Sequence, residues 1–123
     1  LSIVTCGALV KRSLDAAKVA SQKYGIECEV IDLRTISPFD METVAASVKK
    51  TNKVLVTHED SLSWGVGSEI AARIADELFH WLDGPVRRVA SMDTWVAYAP
   101  QLEETILPQS ADVLSEILNL ARF

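Results

Sequence analysis

The chain has 123 residues, 49% hydrophobic and 24% charged, a balance that fits one globular domain spanning residues 1–123 with a core of its own. Its 17 acidic residues outweigh 12 basic ones, and the net charge of -5 supplies no basic stripe for nucleic acid and favours basic protein partners. No apolar run approaches the roughly 20 residues that cross a bilayer, and there is no basic-then-apolar leader, so a soluble chain without membrane contact is expected.

In chain order, Leu1 to Cys6 reads as a strand that turns at Gly7 into a helix. The chain starts at Leu1 inside an apolar run without an initiator methionine, and is expected to be a piece of a longer polypeptide. From Val10 the positions Leu14, Ala17 and Ala20 or Ser21 keep helical spacing to Tyr24, and Gly25 is suited to close the helix in a left-handed conformation. Glu27 to Leu33 is a second strand with Asp32 near its end. Cys6 and Cys28 lie on separate apolar runs without metal-like spacing and read as reduced core residues of a cytosolic-type protein. Pro38 keeps Ser37 out of helical geometry. Asp40 then caps a short helix whose buried face is Met41, Val44 and Val48, with Lys49 and Lys50 favourably placed in its last turn and Asn52 as its closing residue.

Lys53 to Thr57 is an unbroken row that suits a strand covered on both faces. It is expected to break at His58-Glu59-Asp60 into a glycine-bearing loop, in the position where open α/β sheets bind ligands and partners. The helix that follows places Ile70, Ile74, Leu78 and Trp81 on one face and spaces Glu69 and Arg73 as an ion pair, until Asp83-Gly84-Pro85 stops it. Val86 to Ala90 is a short strand whose Arg87 and Arg88 imply an edge position or an ion-paired end. Met92 to Pro100 is irregular and carries Trp95 and Tyr98. Gln101 to Ile106 forms one or two helical turns, and Ser110 caps a last helix with Val113, Leu114, Ile117, Leu118 and Ala121 on its apolar side.

Strand and helix alternate throughout, which predicts an α/β fold: a three-layer α/β/α sandwich with a mostly parallel sheet. Four strands make a thin sheet, so a further strand upstream of Leu1 or from elsewhere is expected.

The motifs leave chemistry open. The first strand-to-helix turn, Cys6-Gly7-Ala8-Leu9-Val10-Lys11, lacks the glycine fingerprint of a dinucleotide site, and Asp32 then reads as a carboxylate bonding loop amides or an arginine. Gly65 and Gly67 read as serving tight reversal and close strand-to-helix contact rather than an anion, because Glu69 would repel a phosphate. His58, Glu59 and Asp60 have the residue types of an acid/base cluster or a metal site. Alternation along a strand keeps them apart, so a structural or hydrogen-bonded interface role is preferred and no catalytic, cofactor or metal residue is assigned. Trp64, Trp95 and Tyr98 suit either the buried centre of a protein interface or a cap on the domain's own core.

Taken together, Ile31-Asp32-Leu33-Arg34-Thr35-Ile36-Ser37-Pro38, His58-Glu59, Gly65-x-Gly67-Ser68-Glu69-Ile70, Arg88-Val89, Asp93-Thr94, Leu102-Glu103 and Leu107-Pro108 resemble a known family. It is the transketolase-like C-terminal domain of the beta subunit of thiamine-diphosphate-dependent 2-oxoacid dehydrogenases of the branched-chain (2-oxoisovalerate), pyruvate and acetoin type. The likeness spans essentially the whole chain. It implies an antiparallel strand before Leu1, and thiamine diphosphate with magnesium held between the alpha subunit and the other beta domain, none of it in this chain. It further implies that this domain supplies assembly contacts to a second beta chain and an alpha chain or region, and in some members docks the basic peripheral domain of the acyltransferase core. Interface candidates are then His58, Glu59, Asp60, Trp64, Asp93, Trp95, Tyr98 and Phe123. Trp95 and Ala97 stand where relatives of the resembled family carry prolines, a departure that points to a subfamily such as one with alpha and beta regions fused. The reading outside this family is a stand-alone flavodoxin-like module that binds a small ligand or partner at the His58 to Asp60 edge.

Overall fold

The computed structural model describes residues 1–123. The elements run β1 (Ser2–Thr5), α1 (Leu9–Tyr24), β2 (Glu29–Asp32), α2 (Met41–Thr51), β3 (Val54–Ser61), α3 (Val66–Glu77), β4 (Arg87–Ser91), α4 (Pro100–Ile106) and α5 (Ser110–Leu120), with a 3-10 turn at Phe79–Trp81. The four strands pair in parallel in the order β2-β1-β3-β4, so β1 and β3 are central and β4 is indeed an edge.

Two cores, one on each face of the sheet, make the expected sandwich. Successive strand side chains point to opposite faces. Val4, Ile31, Val54 and Val56 therefore meet Val44 and Val48 of α2 and Ile70 and Ile74 of α3. On the other face Ile3 and Leu55 meet Leu9, Ala16 and Ala20 of α1 and Val113, Ile117 and Leu120 of α5. The central strands are apolar on both sides because both sides are covered.

The helix ends follow the sequence closely. Gly25 sits at φ 67° and closes α1, a left-handed conformation that costs an L side chain more than glycine. Asp40 caps α2 by accepting the Thr43 amide at 3.0 Å and the Thr43 hydroxyl at 2.6 Å, and Asn52 closes it at φ 62°.

Several expectations are corrected. α3 stops at Glu77 and the chain tightens into the 3-10 turn, which leaves Trp81 about half exposed with the Lys49 ammonium 5.5 Å from its ring centre. Arg73 pairs with Glu77 at 2.8 Å, not with Glu69. α5 is capped by Gln109, which shares a reciprocal capping box with Asp112, and Ser110 is its first helical residue. Leu120 takes the buried position assigned to Ala121, which is exposed, while Leu118 is only half-buried. Cys6 and Cys28 are free thiols at the margins of the two cores rather than inside them, and burial pushes both above the ordinary thiol range. The largest correction concerns β3, which does not break at Thr57 but continues through His58, Glu59 and Asp60 to Ser61.

Candidate functional site

The extension of β3 is held by its edge partner. Thr57 pairs with Val89 and Ser61 with Ser91, so β3 spends four residues where β4 spends two, and a local irregularity lies between. The Ser91 hydroxyl donates to the Glu59 carbonyl inside that irregularity, and the Leu62 amide donates to the Ser91 carbonyl at 3.0 Å. Strand pairing therefore carries polar residues to the end of the sheet, where apolar patterning alone would end it.

Strand geometry sends His58, Glu59 and Asp60 to different neighbours. Glu59 faces α1 and pairs with Arg12 at 3.2 Å, while Arg12 also donates to the Pro108 carbonyl at 2.8 Å and ties α1 to the α4–α5 connection. Asp60 accepts the Ser61 amide at 2.8 Å and the Val66 amide at 3.1 Å, which caps the start of α3 and holds its carboxyl below the ordinary range. His58 is 2% exposed and lies under the first turn of α3. Neither ring nitrogen has a side-chain partner within the domain, and the ring packs beneath α3, the structural alternative of the sequence reading. Burial lowers its pKa below the ordinary value of 6.5, the Asp60 charge opposes that, and Arg88 adds to it. The three side chains do not converge on a common point.

A second arrangement does converge. The Ser63 amide donates to one oxygen of Asp93 at 2.8 Å and the Ser63 hydroxyl to the other at 2.6 Å, which locks the loop after β3 to the loop after β4. These bonds, led by the hydroxyl, hold the Asp93 carboxyl below its ordinary range. Arg88 braces the same loop through the Leu62 carbonyl at 2.6 Å and the Ser68 hydroxyl at 2.5 Å. Next to Ser63, Trp64 adopts φ 64° and is 98% exposed; Trp95 is 93% exposed and Tyr98 fully so. None of the three therefore caps the domain's own core. Ser61, Ser63, Trp64, Asp93, Thr94 and Trp95 line an open cleft of about 390 Å3 at this end of the sheet. Phe123, also largely exposed, sits apart beside Gly84.

Sequence reasoning missed Ser63 and, although β4 is the edge strand that Arg87 and Arg88 implied, did not separate the roles of the two arginines. Arg87 is the ion-paired arginine, to Glu116 at 2.5 Å, whereas Arg88 serves a carbonyl and a hydroxyl. The signal available was the pairing of a loop serine with a loop aspartate after adjacent parallel strands, visible only once β3 and β4 are known to be neighbours.

The remaining candidate sites are occupied by the chain itself. Asp32 accepts the Arg34 amide at 3.2 Å and the Arg34 guanidinium at 3.3 Å, as the reading without a ribose required. At the α3 terminus the Val66 amide is taken by Asp60 and the Ser68 amide by the Gly65 carbonyl at 2.9 Å. No group of three or more His, Cys, Asp or Glu side chains is placed to share a metal ion.

Comparison with known proteins follows this geometry. The model of the family "Transketolase, C-terminal domain" matches residues 1–113. The pyruvate dehydrogenase E1 component subunit beta of Rickettsia conorii is 44% identical over 117 residues, covering 95% of this chain and 36% of that protein. The human mitochondrial counterpart is 43% identical over 118 residues, covering 95% and 33%. The 3-methyl-2-oxobutanoate dehydrogenase subunit beta of Mycobacterium tuberculosis is 42% identical over 109 residues, covering 88% and 31%. The chain thus spans about a third of the length of these relatives. Among solved structures, a split-gene transketolase described as an inactive beta4 tetramer superposes with a TM-score of 0.84 at 28% identity, over 98% of this chain and 39% of that one.

Proposed function

Since the chain belongs to the transketolase C-terminal domain family, we propose that it is the assembly domain of the decarboxylating component of a 2-oxoacid dehydrogenase, as a beta subunit or the beta region of a fused chain. The whole enzyme would oxidatively decarboxylate a 2-oxo acid and pass the acyl group to lipoamide, with thiamine diphosphate and magnesium supplying the carbanion chemistry. Little in this chain favours that cofactor, because the Val66 and Ser68 amides of α3 are already engaged, Glu69 beside them would repel a phosphate, and no acidic cluster is placed to share a metal ion. The cofactor is therefore assigned to the rest of the enzyme, and the isolated domain is expected to be inactive.

One observation carries the assembly reading: Trp64, Trp95 and Tyr98 stand in solvent at one end of the sheet on loops braced by Asp93 and Arg88. Large aromatic side chains held rigidly outward suit the centre of a protein interface. The partners proposed are a second beta chain and the alpha chain or region. The net charge of -5 and the exposed Phe123 near the chain end favour, in addition, the basic peripheral domain of the acyltransferase core. The neighbour described as an inactive beta4 tetramer supports a domain type that associates without turnover. For the substrate, the sequence reading favours 2-oxoisovalerate, whereas relatives named for pyruvate are somewhat more similar, at 44% against 42% identity, and cover more of the chain, which favours pyruvate. Comparing turnover of the two acids by the full-length enzyme decides between them. The compartment proposed is the bacterial cytoplasm or the mitochondrial matrix, in keeping with two free thiols.

The test replaces Trp95 and Tyr98 by alanine in the full-length protein. Subunit association should weaken while the melting of the domain stays unchanged. Intact assembly, or thiamine diphosphate binding by the isolated chain, overturns the reading.

A further inference from the structure

The cleft between the β3 and β4 loops has walls and a floor of different character. Trp64 and Trp95 flank it, and the two rings make no contact with each other. Asp93 is its one ionisable lining residue, the others being Ser61, Ser63 and Thr94. Each carboxylate oxygen of Asp93 accepts one bond from Ser63 and keeps a lone pair for a further donor. The carboxyl is held in its ionised form by those same bonds.

Two solvent-exposed indoles beside one fixed anion suit a cation. The ring quadrupole attracts a positive charge placed over its face, and the carboxylate adds a charge-assisted hydrogen bond. A guanidinium fits better than an ammonium, because it is planar, stacks on aromatic faces and presents paired N–H donors to a carboxylate. The domain's overall negative charge works in the same direction. We infer that the Ser63–Asp93 cleft, walled by Trp64 and Trp95, receives an arginine side chain projected from a partner polypeptide of the same enzyme. This rests on the assembly reading above and names what that interface recognises. Arg88 does not fill the cleft from within: it is not a lining residue, its Nη1 donates to the Leu62 carbonyl and the Ser68 hydroxyl, and its charge is only the last of the influences that hold the Asp93 carboxyl low.

The test measures subunit association of the full-length protein by sedimentation over a range of salt concentrations, for wild type, Asp93→Asn, and Trp95→Ala. Asparagine removes the charge, keeps its oxygen as the acceptor for the Ser63 amide and turns an NH2 donor toward the Ser63 hydroxyl, which can accept, so the loop tether has a partner at both atoms. Asp93→Asn should lower the association constant about tenfold and flatten its dependence on salt, because one cation–carboxylate contact is lost. Trp95→Ala should lower it with the salt dependence retained. A loss in Asp93→Asn with an unchanged salt slope means that the acid only tethers the loop, and overturns the inference. Unchanged association in Asp93→Asn also overturns it; if Trp95→Ala still weakens assembly, the interface reading stands alone, and if neither does, both fall.

Discussion

The imidazole of His58 occupies the space that a side chain on Gly67 would need. A Cβ built on residue 67 would lie 2.1 Å from both Cδ2 and Nε2 of the ring, so the first turn of α3 rests directly on a buried histidine. Gly67→Ala is expected to destabilise the protein by about 1–3 kcal/mol, the range for overpacking a core contact. The three nearest atoms all belong to the ring. In a His58→Ala background the same substitution should turn neutral or stabilising, by up to about 1 kcal/mol, because alanine is the better helix former. Urea denaturation of the four proteins of this cycle gives the coupling, and additive effects would refute the contact.

The same burial makes His58 a source of pH dependence. Its pKa is lowered in the folded protein, chiefly by burial, with the Asp60 charge opposing and Arg88 assisting. Below the ordinary value of 6.5 the unfolded chain then holds more protons than the folded one, so stability rises with pH in that window. The contribution is fully present above 6.5 and is lost as the pH falls toward the folded-state value. His58→Asn should flatten the curve of unfolding free energy against pH just below 6.5. Glu29, Asp40, Asp60 and Asp93, whose pKa values are also lowered, act in a separate window below their ordinary 4.5 and 3.8. That acid limb should survive in the variant, and a variant curve identical to wild type near pH 6 would count against His58.

His58 also marks where the sequence stopped being legible. Gly25, Asp40 and Asn52 were readable because caps are local chemistry, settled by the residue and its next few neighbours. The run from His58 to Ser61 looked like a loop because apolar patterning reports burial by side-chain type, whereas this stretch is strand through pairing with β4. A glycine nine positions onward supplies the room for a buried ring, and no periodicity carries that information. The end of α3 failed for the opposite reason: Leu78 and Trp81 kept helical spacing after the backbone had left the α conformation at Leu78, φ -120°. The exposed tryptophans were identified as residues of interest, but the anion between them depends on two loops meeting across neighbouring strands.

Gly25 provides a contrast with Gly67. No atom lies within 4 Å of where its Cβ would be, yet its φ is 67°. Gly25→Ala should therefore cost roughly 1 kcal/mol through backbone conformation alone, and Gly25→Asn less, since asparagine tolerates the left-handed region. No second-site substitution of a neighbour should rescue the alanine variant. Thermal melting of both variants checks the order, and a larger loss for asparagine would contradict it.

Tryptophan emission reads the assembly face directly, because two of the three indoles are in water and the third, Trp81, is about half exposed in the 3-10 turn beside Lys49. The chain alone should emit as solvent-exposed indole and be quenched freely by acrylamide, a neutral quencher that the Asp93 charge cannot repel. In the assembled enzyme, the signal from this domain should shift to the blue and lose most of its quenching, since an indole at an interface core is desolvated. Trp81→Phe should leave that change in place, whereas Trp64→Phe and Trp95→Phe should each remove part of it. The phenylalanine variants keep an aromatic face, so assembly persists while the reporter is lost, which separates the probe from the contact. Emission and quenching that stay the same after the subunits assemble would mean that Trp64 and Trp95 face solvent in the enzyme as well, and the face would lose its assigned role.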